Sequence, residues 1–138
     1  MKKLFDQIGR GLFGKVLPRW SYPVLKGPLK GCKFILGTFA GDGGGGKVYF
    51  NMIEPEQTTA FIKTLKQGNI VFDVGANVGY YTVLGSKLVG DTGMIISLEP
   101  FVRNLAYLHQ HVALNKLKNV MILPAACSDN SLLPDSYL

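Results

Sequence analysis

The chain has 138 residues, of which 47% are hydrophobic and 17% charged, so it suits one small folded domain and excludes a disordered chain. The formal net charge of +6 is uneven, since residues 1–33 carry +7 and residues 34–138 carry −1. Cys32 and Cys127 form neither a zinc motif nor a disulfide framework. No apolar run reaches the ~18 residues of a membrane span, and the N-terminus lacks a signal-peptide core, so we expect a cytoplasmic protein.

Residues 4–17 predict a helix, because Leu4, Ile8 and Leu12 recur at helical spacing and basic side chains flank them. Two interpretations remain open: a helix that binds an anionic membrane or a partner, and an ordinary docking helix with a solvated basic side. We favour the second and expect at most a weak membrane-surface or protein contact from this arm. A nucleic-acid partner is not indicated, because the remainder of the chain is near neutral and lacks interleaved basic and aromatic residues.

Residues 32–39 and 47–53 predict two short strands that pair as a β-hairpin around a glycine-rich tip. The tip, G-D-G-G-G-G-K, matches the first seven positions of a phosphate-binding loop. However, Val48 stands where that loop needs a hydroxyl, and a strand follows where it needs a helix. A mobile hairpin tip that could close over a site is therefore the better interpretation.

The second half of the chain alternates strand and helix patterns. A helix is expected over residues 54–66, with Pro55 in its first turn. The core elements then follow in the order strand, helix, strand, helix, strand, at residues 70–74, 79–89, 94–98, 101–117 and 120–123. This order predicts the first half of a doubly wound, Rossmann-like α/β domain with a parallel sheet. The predicted parts are an arm (1–33), a hairpin and helix (34–69) and the α/β unit (70–138).

A glycine turn, residues 75–79, joins the first core strand to its helix and is the most informative feature of the chain. Glycines let the backbone approach a ligand without a Cβ in the way, and the helix then directs its N-terminal N–H groups at that ligand. Glu99 ends the second strand and lies 20 residues after Gly79, which suits an acid that binds ribose hydroxyls about 20 residues downstream. The residues therefore predict a nucleotide-type cofactor.

The turn favours S-adenosylmethionine (SAM) over a dinucleotide. The dinucleotide motif is G-x-G-x-x-G, whereas this turn reads G-A-N-V-G and lacks the middle glycine. SAM carries no phosphate but presents an ammonium, and Asp73 is placed to bind it. We expect Asp73, Gly75 and Gly79 at the methionine end and Glu99 at the ribose. The alternative is that Asp73 and Gly75 only shape a tight strand-to-helix turn.

The chain resembles the FkbM-type class I methyltransferases in D-V-G-A-N-V-G-Y-Y-T (73–82) and L-E-P (98–100). The resemblance covers residues 27–130, and it implies a Rossmann-like fold, SAM as cofactor and methylation of oxygen on a small metabolite or glycan. The residues that it places at the cofactor are Asp73, Gly75, Ala76, Asn77, Gly79, Tyr80, Thr82, Glu99, Pro100, Ser128 and Asp129.

Several of these positions keep an alternative reading. Asn77 could orient the ligand or only support a left-handed turn, which asparagine tolerates. Thr82 is near enough to the helix start to hydrogen-bond a ligand carboxylate, and Tyr80 or its neighbour could line the pocket. Ser128 and Asp129 follow the third strand, where methyltransferases of this class contact adenine, but Asp129 could equally be a turn residue.

The two histidines, His109 and His111, lie two apart on a predicted helix and cannot face one point, so we predict no metal site and no catalytic pair. No catalytic base is visible, and we expect one, if it exists, beyond Leu138 in a longer protein. The first competing hypothesis is a nicotinamide-dependent oxidoreductase. The second is a non-catalytic binding half-domain that a partner completes.

Overall fold

The computed structural model describes residues 20–39 and 46–127. The chain divides into two compact units, Met1–Phe61 and Ile62–Leu138. Within the described ranges, no helix has the length and the apolar character that crossing a bilayer requires.

Three predicted features fall outside the described residues. They are the helix over residues 4–17, the glycine-rich tip at 41–45, and the candidate cofactor residues Ser128 and Asp129. These remain predictions, as does the three-part division of the chain.

In the first unit, strands β1 (Ser21–Pro23) and β2 (Lys33–Ile35) form an antiparallel pair. The loop between them turns through Gly27 and Gly31, whose φ angles of 80° and 86° suit a residue without a Cβ. The sequence predicted a strand at β2 but paired it with residues 47–53, and that pairing was wrong. The true partner has only three residues and ends in proline, which makes it a weak strand signal.

Residues 47–53 were predicted as a strand, but Gly46–Phe50 form a 3-10 helix. The reason lies in burial: Val48 and Tyr49 are both buried, whereas a half-buried strand exposes one of two neighbours. The Tyr49 hydroxyl donates a hydrogen bond to the Phe34 carbonyl at 2.8 Å. A short apolar run fits either structure, so the tertiary contact decided the outcome.

Helix α1 spans Pro55–Thr64, close to the predicted range of 54–66. Pro55 occupies the first helical position, as predicted, where a missing N–H costs nothing. The Thr58 side chain donates to the Ile53 carbonyl at 3.0 Å, and its N–H donates to the Glu54 carbonyl at 2.8 Å. These bonds fix the start of the helix.

The second unit contains the predicted α/β core. Strands β3 (Ile70–Val74), β4 (Met94–Leu98) and β5 (Val120–Leu123) form a parallel sheet in the order β3-β4-β5. Helices α2 (Tyr80–Val89) and α3 (Val102–Leu114) connect consecutive strands. All three strand ranges agree with the prediction, and the Rossmann-like α/β fold class is confirmed.

The two faces of this sheet differ. On one face, α2 packs against β3 and β4 and covers buried side chains such as Ile95 and Ser97. The opposite face is entirely apolar, and three residues of β3 are 67%, 65% and 57% exposed. Its residues are Ile70, Phe72, Val74, Met94, Ile96, Leu98, Met121 and Leu123. Parallel sheets are ordinarily buried on both faces. Among the described residues, by contrast, the β3 part of this apolar face is exposed.

Asn119 fixes the end of α2 to the start of β5. Its side-chain amide donates to the carbonyls of Ser86 and Gly90 at 3.1 and 2.8 Å, which also accept the N–H groups of Gly90 and Gly93. The Ser86 hydroxyl donates to the Asn119 side-chain oxygen at 2.5 Å. These bonds hold the edge of the sheet that lies opposite the glycine turn.

Candidate functional site

The glycine turn lies at the carboxyl ends of β3 and β4. The N–H groups of Gly75 and Ala76 both donate to the Leu98 carbonyl, at 2.9 and 3.0 Å. Asp73 and Glu99 stand at the ends of the same two strands. The fold therefore brings the predicted turn and both predicted carboxylates to one edge of the sheet, where ligands bind in open α/β sheets.

The backbone of the turn enters the left-handed region three times. The φ angles are 76° at Gly75, 52° at Asn77 and 95° at Gly79. A Cβ on Gly75 would meet nothing within 4 Å, whereas one on Gly79 would lie 2.5 Å from Leu108 Cδ1. Gly75 therefore leaves open space at the site, and Gly79 permits close packing of α3. Asn77 does adopt a left-handed conformation, which was one of the two roles that the sequence left open for it.

Glu99 is held rigidly within this edge. Its side chain is 3% exposed. Oε2 accepts the Asn77 N–H at 2.8 Å, and Oε1 accepts the Phe101 N–H at 2.9 Å and the Asn104 amide at 3.3 Å. A carboxylate has about four acceptor positions, so Oε2 keeps one for a further donor. The carboxylate is thus oriented in advance by the turn and by the start of α3.

Asp73 belongs to a short chain of buried hydroxyl groups. The Thr82 hydroxyl donates to Asp73 Oδ2 at 2.5 Å. The Ser97 hydroxyl lies 2.8 Å from the Thr82 hydroxyl and donates to it when Thr82 donates to Asp73. Thr82 and Ser97 are fully buried. The sequence predicted that the Thr82 hydroxyl could bind a carboxylate of the ligand. In the structure this hydroxyl is buried and donates to the Asp73 carboxylate instead.

Burial raises the pKa of Asp73 above its ordinary value. The hydrogen bonds from the hydroxyl and backbone of Thr82 oppose the rise, and the negative charge of Glu99 adds to it. The folded protein therefore binds the Asp73 proton more tightly than the unfolded chain does. Ionised Asp73 costs stability at neutral pH, and the cost disappears as the pH falls below the ordinary pKa of 3.8.

Replacing Asp73 by asparagine is expected to raise the free energy of unfolding at pH 7, because the buried charge is removed while Thr82 keeps an acceptor. The gain over wild type should shrink as the pH is lowered towards 3.8. If Asp73 binds the ammonium of SAM, the same variant should bind SAM about 10- to 100-fold more weakly. Urea unfolding from pH 4 to 8 and calorimetric titration with SAM check the two effects. Lower stability of the asparagine variant at pH 7 would contradict the argument.

The other predicted residues lie around the turn. Ala76 and Tyr80 are buried, and the Tyr80 ring packs edge-on against Tyr81 at 5.1 Å. Tyr81 is half-buried, as is Pro100, which follows Glu99. Of the two tyrosines, Tyr81 is therefore the more exposed.

The sequence reasoning missed Ser97, Asn104 and His111. His111 is fully buried, and its Nδ1 lies 2.6 Å from the Val78 carbonyl within the glycine turn. Burial lowers the pKa of His111, and the bond to Val78 opposes the shift. One signal could have found it: His111 lies three residues after Leu108 and so extends the apolar stripe of α3. His109 is exposed, and no described cluster of three His, Cys, Asp or Glu side chains could hold a metal ion.

Solved structures with this fold include several methyltransferases. A protein described as an rRNA methylase from Clostridium thermocellum is 18% identical with a TM-score of 0.51, over 52% of this chain and 39% of that one. A protein-L-isoaspartate O-methyltransferase is 23% identical with a TM-score of 0.50, over 53% and 24%. A SAM-dependent methyltransferase from Aquifex aeolicus is 30% identical with a TM-score of 0.46, over 57% and 40%. The chain thus spans well under half the length of each.

The comparison with family profiles gives a more specific result. No curated protein sequence matches the chain. Residues 53–129, more than half of the chain, match the profile of the family described as protein-L-isoaspartate(D-aspartate) O-methyltransferase. The matched range contains the glycine turn, Asp73 and Glu99. The resemblance to the FkbM-type family stays a prediction, because the matching profile describes another methyltransferase family. The chain belongs to the protein-L-isoaspartate(D-aspartate) O-methyltransferase family and thereby to the class I methyltransferases that use S-adenosylmethionine.

Proposed function

We propose that this chain forms the SAM-binding part of an enzyme that transfers a methyl group to oxygen. The observation that carries the proposal is the bond between Glu99 Oε2 and the Asn77 N–H at 2.8 Å. This bond joins the glycine turn to the acid after the second strand. The sequence assigned the turn to the methionine end of SAM and the acid to the ribose, each on separate grounds. The proposal rests on this joint placement and on the family match.

The charges at this edge suit SAM and oppose a dinucleotide. SAM presents an ammonium and a sulfonium, both positive, and Asp73 supplies a carboxylate two residues before the turn. A pyrophosphate at the turn would instead be repelled by Asp73, because like charges at short range in a partly buried site cost free energy. A nicotinamide-dependent oxidoreductase is therefore the weaker candidate.

The proposed contacts follow from these positions. Asp73 binds the ammonium, and the backbone around Gly75 and Gly79 receives the methionine end. Glu99 binds the ribose through its remaining acceptor position, while Thr82 acts through Asp73. The supporting contacts proposed from the sequence alone involve Ala76, Asn77, Tyr80, Pro100, Ser128 and Asp129.

Titration of the full-length protein with SAM and with NAD tests the proposed cofactor. We expect SAM to bind at least about tenfold more tightly than NAD, a difference of about 1.4 kcal/mol. Tighter binding of NAD would overturn the proposal. Binding of neither cofactor would favour the non-catalytic half-domain instead.

The methyl acceptor that we propose is a hydroxyl of a small metabolite or glycan, as the FkbM-type resemblance implies. The family match favours a second candidate, the carboxylate of an isoaspartyl residue in a protein. In either case the acceptor oxygen attacks the methyl carbon, and the carbon–sulfur bond breaks with its electron pair moving to sulfur. A hydroxyl must also lose its proton to a base, whereas an ionised carboxylate has none to lose.

The product distinguishes these two acceptors. The full-length enzyme would be incubated with SAM carrying a labelled methyl group and with either glycan and metabolite mixtures or isoaspartyl peptides. A carboxyl acceptor gives a methyl ester, which releases labelled methanol in mild alkali. A hydroxyl acceptor gives a methyl ether, which retains the label. Alkali-labile label on the peptides would replace the metabolite proposal with the protein one.

The arm formed by residues 1–33 has a net charge of +7, and we propose at most a weak contact with a membrane surface or another protein. Such a contact would be electrostatic and would weaken as salt rises, because the Debye length shortens. Binding to anionic vesicles at low and high salt is the direct measurement. Binding that does not depend on salt would exclude this role.

A further inference from the structure

One stripe of helix α3 contacts both Glu99 and the glycine turn. Asn104, Leu108 and His111 are spaced i, i+4 and i+7, so they share a helix face. Asn104 bonds to the Glu99 carboxylate, and Leu108 fills the space beside Gly79. His111 reaches the middle of the glycine turn.

The contact of His111 with the turn is a buried hydrogen bond. Nδ1 lies 2.6 Å from the Val78 carbonyl, and both residues are buried. A carbonyl oxygen only accepts, so Nδ1 carries the hydrogen and donates it. A buried carbonyl without a donor is costly, which makes this histidine the partner that the turn requires at Val78.

The turn is thereby held from two sides at adjacent residues. The Asn77 N–H donates to Glu99, and the carbonyl of the next residue, Val78, accepts from His111. Asn77 has a φ of 52°, a conformation that is unfavourable for residues other than glycine. These two bonds select that conformation over the alternatives open to a free loop.

We propose that His111 is a positioning residue for the cofactor: it sets the shape of the glycine turn through Val78 without contacting SAM itself. The inference rests on the proposed SAM site. Its consequence is that part of the affinity for SAM is determined by α3, through its contact with Val78. Because the bound shape exists beforehand, less ordering is needed when the cofactor binds.

Asparagine and glutamine at position 111 distinguish the loss of the Nδ1 hydrogen bond from the loss of a polar side chain, because both are amides. The amide nitrogen of asparagine can take the place of Nδ1, whereas that of glutamine reaches further along the side chain. We expect His111→Asn to keep SAM affinity within about threefold of wild type, and His111→Gln to lose about 10- to 100-fold, the range for a lost buried hydrogen bond. His109→Asn, two residues away and exposed, should leave affinity unchanged.

The measurements use the full-length protein at a temperature where urea curves show each variant to be folded. Calorimetric titration then reports affinity of the folded protein, which a purely structural loss of stability would not change. The cycle that combines His111→Gln with Glu99→Gln should give a non-additive loss, because both residues fix neighbouring parts of one turn. Additive losses, or equal affinities for the asparagine and glutamine variants, would overturn the inference. Failure of wild-type protein to bind SAM would instead refute the proposed function.

Discussion

Replacing Glu99 by glutamine is expected to weaken SAM binding by about 100-fold and to lower the free energy of unfolding by about 1–3 kcal/mol. Both carboxylate oxygens accept backbone N–H groups, from Asn77 on one side and Phe101 on the other. An amide has only one acceptor oxygen, so its NH₂ group must face one of these donors. The variant therefore loses a charge-assisted hydrogen bond, and its NH₂ group faces a backbone N–H, so that two donors point at each other. It also removes the carboxylate that we propose as the partner of the ribose.

Asp91→Asn is the matched control for this variant. Asp91 is an exposed carboxylate in the loop after α2, away from the turn and outside every contact of Glu99. The change removes the same charge, so it accounts for any long-range effect of net charge on a cationic ligand. Calorimetric titration with SAM and urea unfolding measure both variants. Equal affinity for SAM in Glu99→Gln and in wild type would exclude Glu99 from the site.

The sequence predicted the α/β core well because apolar parallel strands that alternate with amphipathic helices leave a strong pattern. Each of β3, β4 and β5 is a short apolar run bounded by turn residues, and the helices between them carry apolar residues at helical spacing. The first unit was harder to predict. There, both strands have only three residues, and the run at 47–53 fits a strand or a helical turn until its burial is known.

The polar contacts of the site were predicted only in part. Asp73, Glu99 and the turn stand out because a glycine turn that joins a strand to a helix, with an acid about 20 residues downstream, is the pattern of a nucleotide-binding unit. Ser97 gives no such signal, since only the register Asp73↔Ser97 between β3 and β4 brings its hydroxyl to this chain of bonds. His111 lies 33 residues from Val78, and sequence spacing along one helix cannot show a contact between different elements.

The second large effect is expected at Gly79. Gly79→Ala should lower the free energy of unfolding by about 2–4 kcal/mol, as the sum of an overpacked contact and a left-handed residue with a Cβ. The new Cβ would lie 2.5 Å from Leu108 Cδ1, and φ is 95°. A leucine tip can rotate freely at the surface, but Leu108 is fully buried, and a close-packed interior resists such a movement. Affinity for SAM should fall as well, because the turn must shift away from α3.

Gly75→Ala separates the two causes. Gly75 also has a positive φ, of 76°, but a Cβ there would meet nothing within 4 Å. Gly75→Ala should therefore lower the free energy of unfolding only by the cost of a left-handed residue that has a Cβ, about 1–2 kcal/mol. Urea unfolding of the two variants gives the contribution of the Leu108 contact by difference. An equal loss at both glycines would mean that conformation alone accounts for the effect.

Truncation of the contacting leucine provides the final check on Gly79. Leu108→Ala alone should cost about 2–5 kcal/mol, because it leaves a cavity in the core. Combined with Gly79→Ala, the new methyl group enters part of that cavity, so the double variant should lose less stability than the two single variants together. The coupling should be about 1–3 kcal/mol, since the two side chains touch. Strict additivity would show that α3 does not pack on the turn at Gly79, and would remove the steric part of the explanation for the glycine.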